Sequence, residues 1–160
     1  MPTVDLAAVA EQLKAIGFTH LVWIPDSEIG GLERHLDGSI RIVRACREGE
    51  ALAIAAGLLL GGAKPVVAVQ CTGFFEAGDA FRNVVKDLKL PLFLLIGHRS
   101  RTAFEAGRSR DSAARYLEPV LQAWELEYVV LRPGDDPAAI GELHARSQAG
   151  GFAAAVVIAE

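Results

Sequence analysis

Apolar residues recur at helical spacing from 6 to 16 and stop at Gly17, which predicts an amphipathic helix ended by a left-handed glycine. The pattern then changes. Short apolar runs at 21–24, 40–43, 66–69, 92–96, 128–131 and 154–158 are bounded by turn residues and rich in Val, Ile and Leu. Such runs read as strands covered on both faces. Helical patterns separate them at 29–36, 48–60, 77–88, 112–124 and 137–147. Asp136 before Pro137 supplies an N-cap followed by proline at the first helical position. Pro65 and Pro91 stand at strand starts, where a missing N–H is tolerated.

Six strands alternating with helices predict a three-layer α/β domain around a mostly parallel, doubly wound sheet. At 160 residues the chain fits one domain, 1–160, and no linker, repeat or low-complexity segment divides it. An apolar share of 51% excludes a disordered chain. The longest stretch without periodicity, 99–110 (RSRTAFEAGRSR), follows a strand end. Open α/β sheets bind ligands beyond the carboxyl ends of their strands, so this loop is a candidate site wall, with arginines that read as solvated.

Charge and cysteines narrow the setting. Sixteen Lys and Arg stand against 20 Asp and Glu without a basic stripe, which argues against a nucleic-acid surface. The most apolar stretch, 51–63, is too short and Gly-rich to span a bilayer, so no membrane is expected. No basic segment followed by an apolar run opens the chain. Cys46 and Cys71 form neither a disulfide framework nor a CxxC pair, and read as buried thiols of a cytoplasmic protein. The dinucleotide GxGxxG, the P-loop and the GxSxG nucleophile elbow are all missing. The four histidines have no metal-ligand spacing, so no metal is assigned to the chain's own residues.

The informative residues stand at strand ends. The first strand runs into Trp23-Ile24-Pro25-Asp26-Ser27, where Asp26 or Ser27 can cap the next helix, line a pocket, or do both. The second passes through Arg44-Ala45-Cys46-Arg47 into Glu48 and an Ala-rich helix that includes Gly57. An acid in a first helical turn can serve simply as a dipole partner, and Glu50 is read that way. The third ends Gln70-Cys71-Thr72-Gly73-Phe74, with turn-forming residues followed by aromatics suited to packing. The fourth closes on His98-Arg99, a surface pair or an anion site, since the arginine fork suits oxyanions.

This set resembles the flavodoxin-like pyrimidine-binding (PYR) domain of thiamine-diphosphate enzymes. In that family a strand ends in a glutamate that opens an Ala-rich helix, with a glycine nine residues on. Glu48 and Gly57 match that spacing, whereas Glu50 is two residues out of register. The Pro-Asp-Ser turn, the Gln-x-Thr-Gly turn and the strand end LFLLIGHR extend the likeness along the whole chain. It is most similar to the small alpha subunits of sulfopyruvate and phosphonopyruvate decarboxylases. The resemblance implies that Glu48 is catalytic, hydrogen-bonding the pyrimidine N1′ so that the cofactor can attack a 2-oxo acid. It further implies cofactor contacts at Pro25, Glu48, Gln70, Thr72, Gly73 and Phe74. Contacts to an anionic 3-substituted pyruvate are implied at Asp26, Ser27, His98 and Arg99.

Two departures bear on the substrate. Related alpha subunits carry Asn-Ser-Gly-Leu-Gly-like residues after the glutamine, where this chain has Cys-Thr-Gly-Phe-Phe-Glu. The adjacent histidines of the pyruvate-decarboxylase type are missing. The family also binds Mg²⁺ and the diphosphate through Gly-Asp-Gly and a downstream Asn, carried on a second (PP) domain. Here the only asparagine is Asn83, and the Gly-Asp pairs at 78–79 and 134–135 lack the second glycine. The resemblance therefore implies a separate PP-domain beta subunit holding Mg²⁺, in an α2β2 or larger assembly. Alternatives are a carboligase or lyase using the same cofactor, and a non-catalytic flavodoxin-like binding module.

Overall fold

Helix α1 (Leu6–Ile16) has the bounds that its spacing predicts. Asp5 Oδ1 accepts from the N–H groups of Ala7 and Ala8, and Gly17 ends the helix at φ 83°. The computed structural model describes residues 3–159; Met1, Pro2 and Glu160, the ends of the expected 1–160 domain, lie outside the described residues. Six strands follow: β1 (His20–Trp23), β2 (Arg41–Arg44), β3 (Pro65–Gln70), β4 (Phe93–His98), β5 (Glu127–Leu131) and β6 (Ala154–Ala159). They form one sheet in the order β2-β1-β3-β4-β6-β5, and every pairing is parallel.

Alternate strand residues feed two cores. Val22, Val67, Val69, Leu94, Ile96 and Val157 face the layer that contains α2 (Glu48–Leu60) and α6 (Ser112–Ala123). Leu21, Trp23, Val66, Phe93, Leu95 and Val156 face α1 and α7 (Ala138–Gly150). Apolar residues on both faces are what a parallel sheet covered by two helical layers requires. The expected three-layer α/β fold is therefore present, with the sheet parallel throughout. Among the described residues no helix is long and apolar enough to cross a membrane.

Three segments differ from expectation. The helix expected at 29–36 is a 3-10 helix, Gly30–His35, because consecutive glycines at its start disfavour an α-helical turn. The helix expected from 77 begins six residues earlier: α3 (Cys71–Glu76) and α4 (Gly78–Ala80) lead into a π-helical stretch, Phe81–Asp87. Gly73 and Gly78 interrupt the apolar period that would have marked it. The stretch 99–110 contains a short helix, α5 (Arg101–Glu105).

Strand order locates the crevice. From β1 the chain moves outward to β2 and then returns to lay β3 on the other side of β1. The connections leaving the carboxyl ends of β1 and β3 thus diverge, which is where doubly wound sheets hold ligands.

Candidate active site

Helix α2 opens at Glu48, directly after β2 and its short connection. No side chain at the N-cap position, Arg47, bonds the first turn. Glu50 bonds the approach to the helix: its Oε2 accepts from the N–H of Cys46, the residue before the N-cap, at 2.8 Å. Glu50 is thus occupied in holding the β2–α2 connection, and Glu48 is left for other chemistry. The Glu48 side chain is half-buried and takes no hydrogen bond from any described residue.

Glu48 lies on Gly73 of α3. A Cβ built on Gly73 would overlap Oε1, Cδ and Cγ of Glu48, so the glutamate fills the space that any other residue at 73 would use. Gly73 has no positive φ; close approach alone demands glycine here. Glu48 and Gly73, 25 positions apart, form one local unit.

The connection after β1 builds a polar ridge beside that unit. Asp26 Oδ1 accepts from the N–H groups of Glu28 and Ile29 at 2.8 and 2.7 Å, capping the turn into the 3-10 helix. Its Oδ2 is buried without a partner, and burial pushes the Asp26 carboxyl above its ordinary value. Glu28, which drew no attention in the sequence, is 5% exposed. Ser27 Oγ donates to its Oε1 at 2.9 Å and Gln70 Nε2 donates to its Oε2 at 2.6 Å. Thr72 Oγ1 then donates to Gln70 Oε1 at 2.7 Å. This crossing passes over β4 at Gly97, where an added Cβ would sit 3.1 Å from Glu28 Cβ. Pro25 is exposed in the same connection.

Two cavities flank the ridge. One, of about 530 Å³, is lined by Ser27, Glu28, Asp5, Arg34 and His35. The other, of about 650 Å³, lies between α3 and α6 and is lined by Thr72, Phe75, Arg99, Asp111, Tyr116 and Trp124. Arg99 Nε pairs with Asp111 Oδ2 at 2.9 Å, and the hydrogen bond and charge of Asp111 raise the guanidinium further. The structure therefore brings Thr72 and Arg99 to one cavity, Ser27 to the other, and Glu48 with Gly73 between α2 and α3.

Four expectations need correction. Phe74 is not at the site: it is 1% exposed, edge-to-face with Phe81 at 5.4 Å, because this turn of α3 points it into the core. Its neighbour Phe75 lines the cavity instead. Cys46 is exposed in the β2–α2 connection; only Cys71 is buried. His98 is fully buried and both ring nitrogens are used. Arginine can only donate, so His98 Nδ1 accepts from Arg101 Nη1 at 3.3 Å and Nε2–H donates to the Ala114 carbonyl at 3.1 Å. Burial and the Arg101 charge hold this imidazole below its ordinary value, against the opposing hydrogen bond to Ala114. No ring nitrogen remains for a substrate.

Arg101 is likewise buried, not solvated. It bonds Glu118 and, at 2.9 Å, Glu105; Tyr128 OH donates to the other Glu118 oxygen, also at 2.9 Å. This network ties the 99–110 segment to α6 and β5. Arg101→Met is expected to cost about 2–3 kcal/mol, less than a fully buried pair, because the Glu118 side chain keeps 32% exposure. Burial raises the Glu118 carboxyl, but Arg101 and Tyr128 together hold it below its ordinary 4.5. A depressed folded-state value gives stabilisation that is complete above 4.5 and lost as pH falls through the folded value. Melts across that acid range should therefore show the wild-type Tm falling more steeply than that of Arg101→Met. Parallel pH curves, or an unchanged Tm at neutral pH, contradict the assignment.

Among the described residues no group of three or more His, Cys, Asp or Glu could hold a metal ion. No protein-family model matches the chain. It is similar to the sulfopyruvate decarboxylase subunit alpha of Methanocaldococcus jannaschii, 26% identical over 121 residues, covering 74% of this chain and 71% of that protein. The protein of the same name from Methanococcus maripaludis is 32% identical over 100 residues, 62% of this chain and 59% of that one. Among solved structures, the thiamine diphosphate-dependent 4-hydroxybenzoylformate decarboxylase of Rhodococcus jostii superposes with a TM-score of 0.73 at 21% identity. That match covers 97% of this chain and 30% of the enzyme, so the chain spans about a third of the solved protein and the likeness is one of fold. In fold this chain matches one part of a thiamine diphosphate-dependent decarboxylase, and in sequence it resembles the sulfopyruvate decarboxylase alpha subunit.

Proposed function

We propose that the chain is the alpha subunit of a two-subunit thiamine-diphosphate-dependent 2-oxo-acid decarboxylase, acting in the cytoplasm on an anionic 3-substituted pyruvate such as sulfopyruvate or phosphonopyruvate. The observation that carries this reading is the seating of Glu48 on Gly73. That seating leaves a half-buried carboxyl, without a hydrogen bond among the described residues, at the carboxyl end of the sheet. A carboxyl so placed fits a pyrimidine ring nitrogen, with which it can share a proton. Thiamine diphosphate, when bound, supplies the electron sink for the loss of carbon dioxide. Glu48 holds or releases the proton at its Oε atoms; Gly73 keeps it in place; Gln70 and Thr72 form the polar ridge alongside. Arg99 is the cation offered to the anionic end of the substrate, since its ion pair engages Nε and leaves the terminal nitrogens outside that bond. Phe74 acts through packing, and His98 through its bonds to Arg101 and Ala114.

A separate PP-domain beta subunit holding Mg²⁺ completes the proposal, and two copies of each chain are the smallest symmetric assembly. Helix α2 supports a partner. From Ala51 to Leu60 it has no polar residue, yet Ala53 and Gly57 are exposed and Leu60 is 71% exposed. A helix apolar all round belongs in an interior. Gly57 has an ordinary φ and nothing within 4 Å of an added Cβ, so the chain's own packing does not require it. Mixing the purified chain with a PP-domain subunit, Mg²⁺ and thiamine diphosphate is expected to yield carbon dioxide from sulfopyruvate or phosphonopyruvate. Neither chain alone turns over. Release by this chain without a partner would overturn the split-site reading.

A further inference from the structure

The buried carboxylate of Glu28 controls which way hydrogen bonds run along the ridge. A carboxylate has no hydrogen to give, so both of its neighbours must donate to it. Ser27 spends its only hydroxyl hydrogen on Oε1. Gln70 must turn its NH₂ toward Oε2, which fixes the amide and leaves its carbonyl facing Thr72. Thr72 in turn spends its only hydroxyl hydrogen on that carbonyl. The order follows from Glu28 alone, whichever way the amide is otherwise assigned.

Ser27 and Thr72 are both exposed, and each lines one of the two flanking cavities. With their hydrogens committed inward, each offers only lone pairs outward. We infer that Glu28 is a positioning residue that makes Ser27 and Thr72 acceptors, so the ligand group docking at either hydroxyl carries N–H or O–H. Bare carboxylate, sulfonate or phosphonate oxygens are disfavoured there. Joined to the proposed decarboxylase, on which this one step rests, the inference places the anionic end of the substrate away from the ridge, toward Arg99 or the partner.

The hydrogen-bond sense can be tested on the chain alone, with no cofactor, partner or turnover, so its failure is separate from failure of the decarboxylase reading. The probes are methylammonium and tetramethylammonium, equal in charge, of which only the first has N–H donors. Titrations followed by ¹H–¹⁵N NMR at Ser27 and Thr72 are expected to show methylammonium binding several-fold more strongly. Glu28→Gln keeps the size but can donate, so the chain of bonds can reverse and that preference should fall to about one. Loss of the negative charge weakens both probes together and leaves their ratio informative. Ser27→Ala and Thr72→Val should each remove the preference at their own end only, guarding against a general effect on folding. Equal response to both probes in the wild type, or a preference that survives Glu28→Gln, overturns the inference.

Discussion

Glu48→Gln in the assembled alpha–beta enzyme is expected to lower kcat by about 10²–10⁴-fold, the range typical of losing a positioned proton-transfer group. Glutamine preserves length and shape and can still lie on Gly73, so the fold and the assembly should persist. It cannot release or take up a proton near neutral pH, so only the proton step is removed. KM is expected to change little, because Glu48 is proposed to act on the cofactor, not on the substrate. Glu50→Gln is the matched control. Its carbonyl oxygen can still accept from the Cys46 N–H, so that bond survives and kcat should stay within about threefold. Steady-state kinetics of the two variants beside the wild type, with complex formation checked by sizing, test the register. Equal activity of Glu48→Gln and wild type sinks the catalytic assignment. A large loss in Glu50→Gln alone would assign the chemistry to the wrong carboxylate.

Much of the frame was legible because it is built from local signals. Gly17 ended α1, and the run after Glu48 marked α2 at both ends, since caps and apolar period are properties of neighbouring residues. The six strands announced themselves as apolar runs, although only the inner ones are buried on both faces; the edge strands β2 and β5 stay partly exposed. What stayed hidden depends on contacts between distant segments. The overlap of Glu48 with Gly73 joins two helices, and in isolation Gly73 looks like ordinary turn chemistry. His98 ends an apolar strand at a position that could face solvent; only the packing of α5 and α6 commits both ring nitrogens. Phe74 and Phe75 differ only in the face of α3 they occupy, which required knowing that α3 is a helix. Glu28 was concealed by the capping residues before it. One signal pointed to it: Gly97 interrupts a strand otherwise made of large apolar residues, and such a glycine marks close approach by another backbone segment.

Gly73→Ala is the sharpest steric test of the site. Its new Cβ falls on the carboxyl end of Glu48, so one of the two must move. Gly73 is buried within a packed helix, whereas Glu48 is half-buried at a helix start with no hydrogen bond from a described residue holding it. The flexible side chain therefore yields. Displacing a reacting group by about an ångström can cost on the order of 10²-fold in rate, and eviction moves the carboxyl at least that far. Stability should move the other way or hardly at all. Alanine in place of a helical glycine contributes up to about 1 kcal/mol, which offsets the cost of rearranging a half-buried carboxyl. Loss of activity at unchanged or raised Tm is thus the expected signature, and unfolding cannot mimic it. The double variant Glu48→Gln/Gly73→Ala should be little worse than Glu48→Gln alone, because the alanine acts only through the carboxyl already disabled. If Gly73→Ala retained wild-type kcat, Glu48 would not need its seat on α3. If the two losses multiplied, Gly73 would be serving the site by some route other than Glu48.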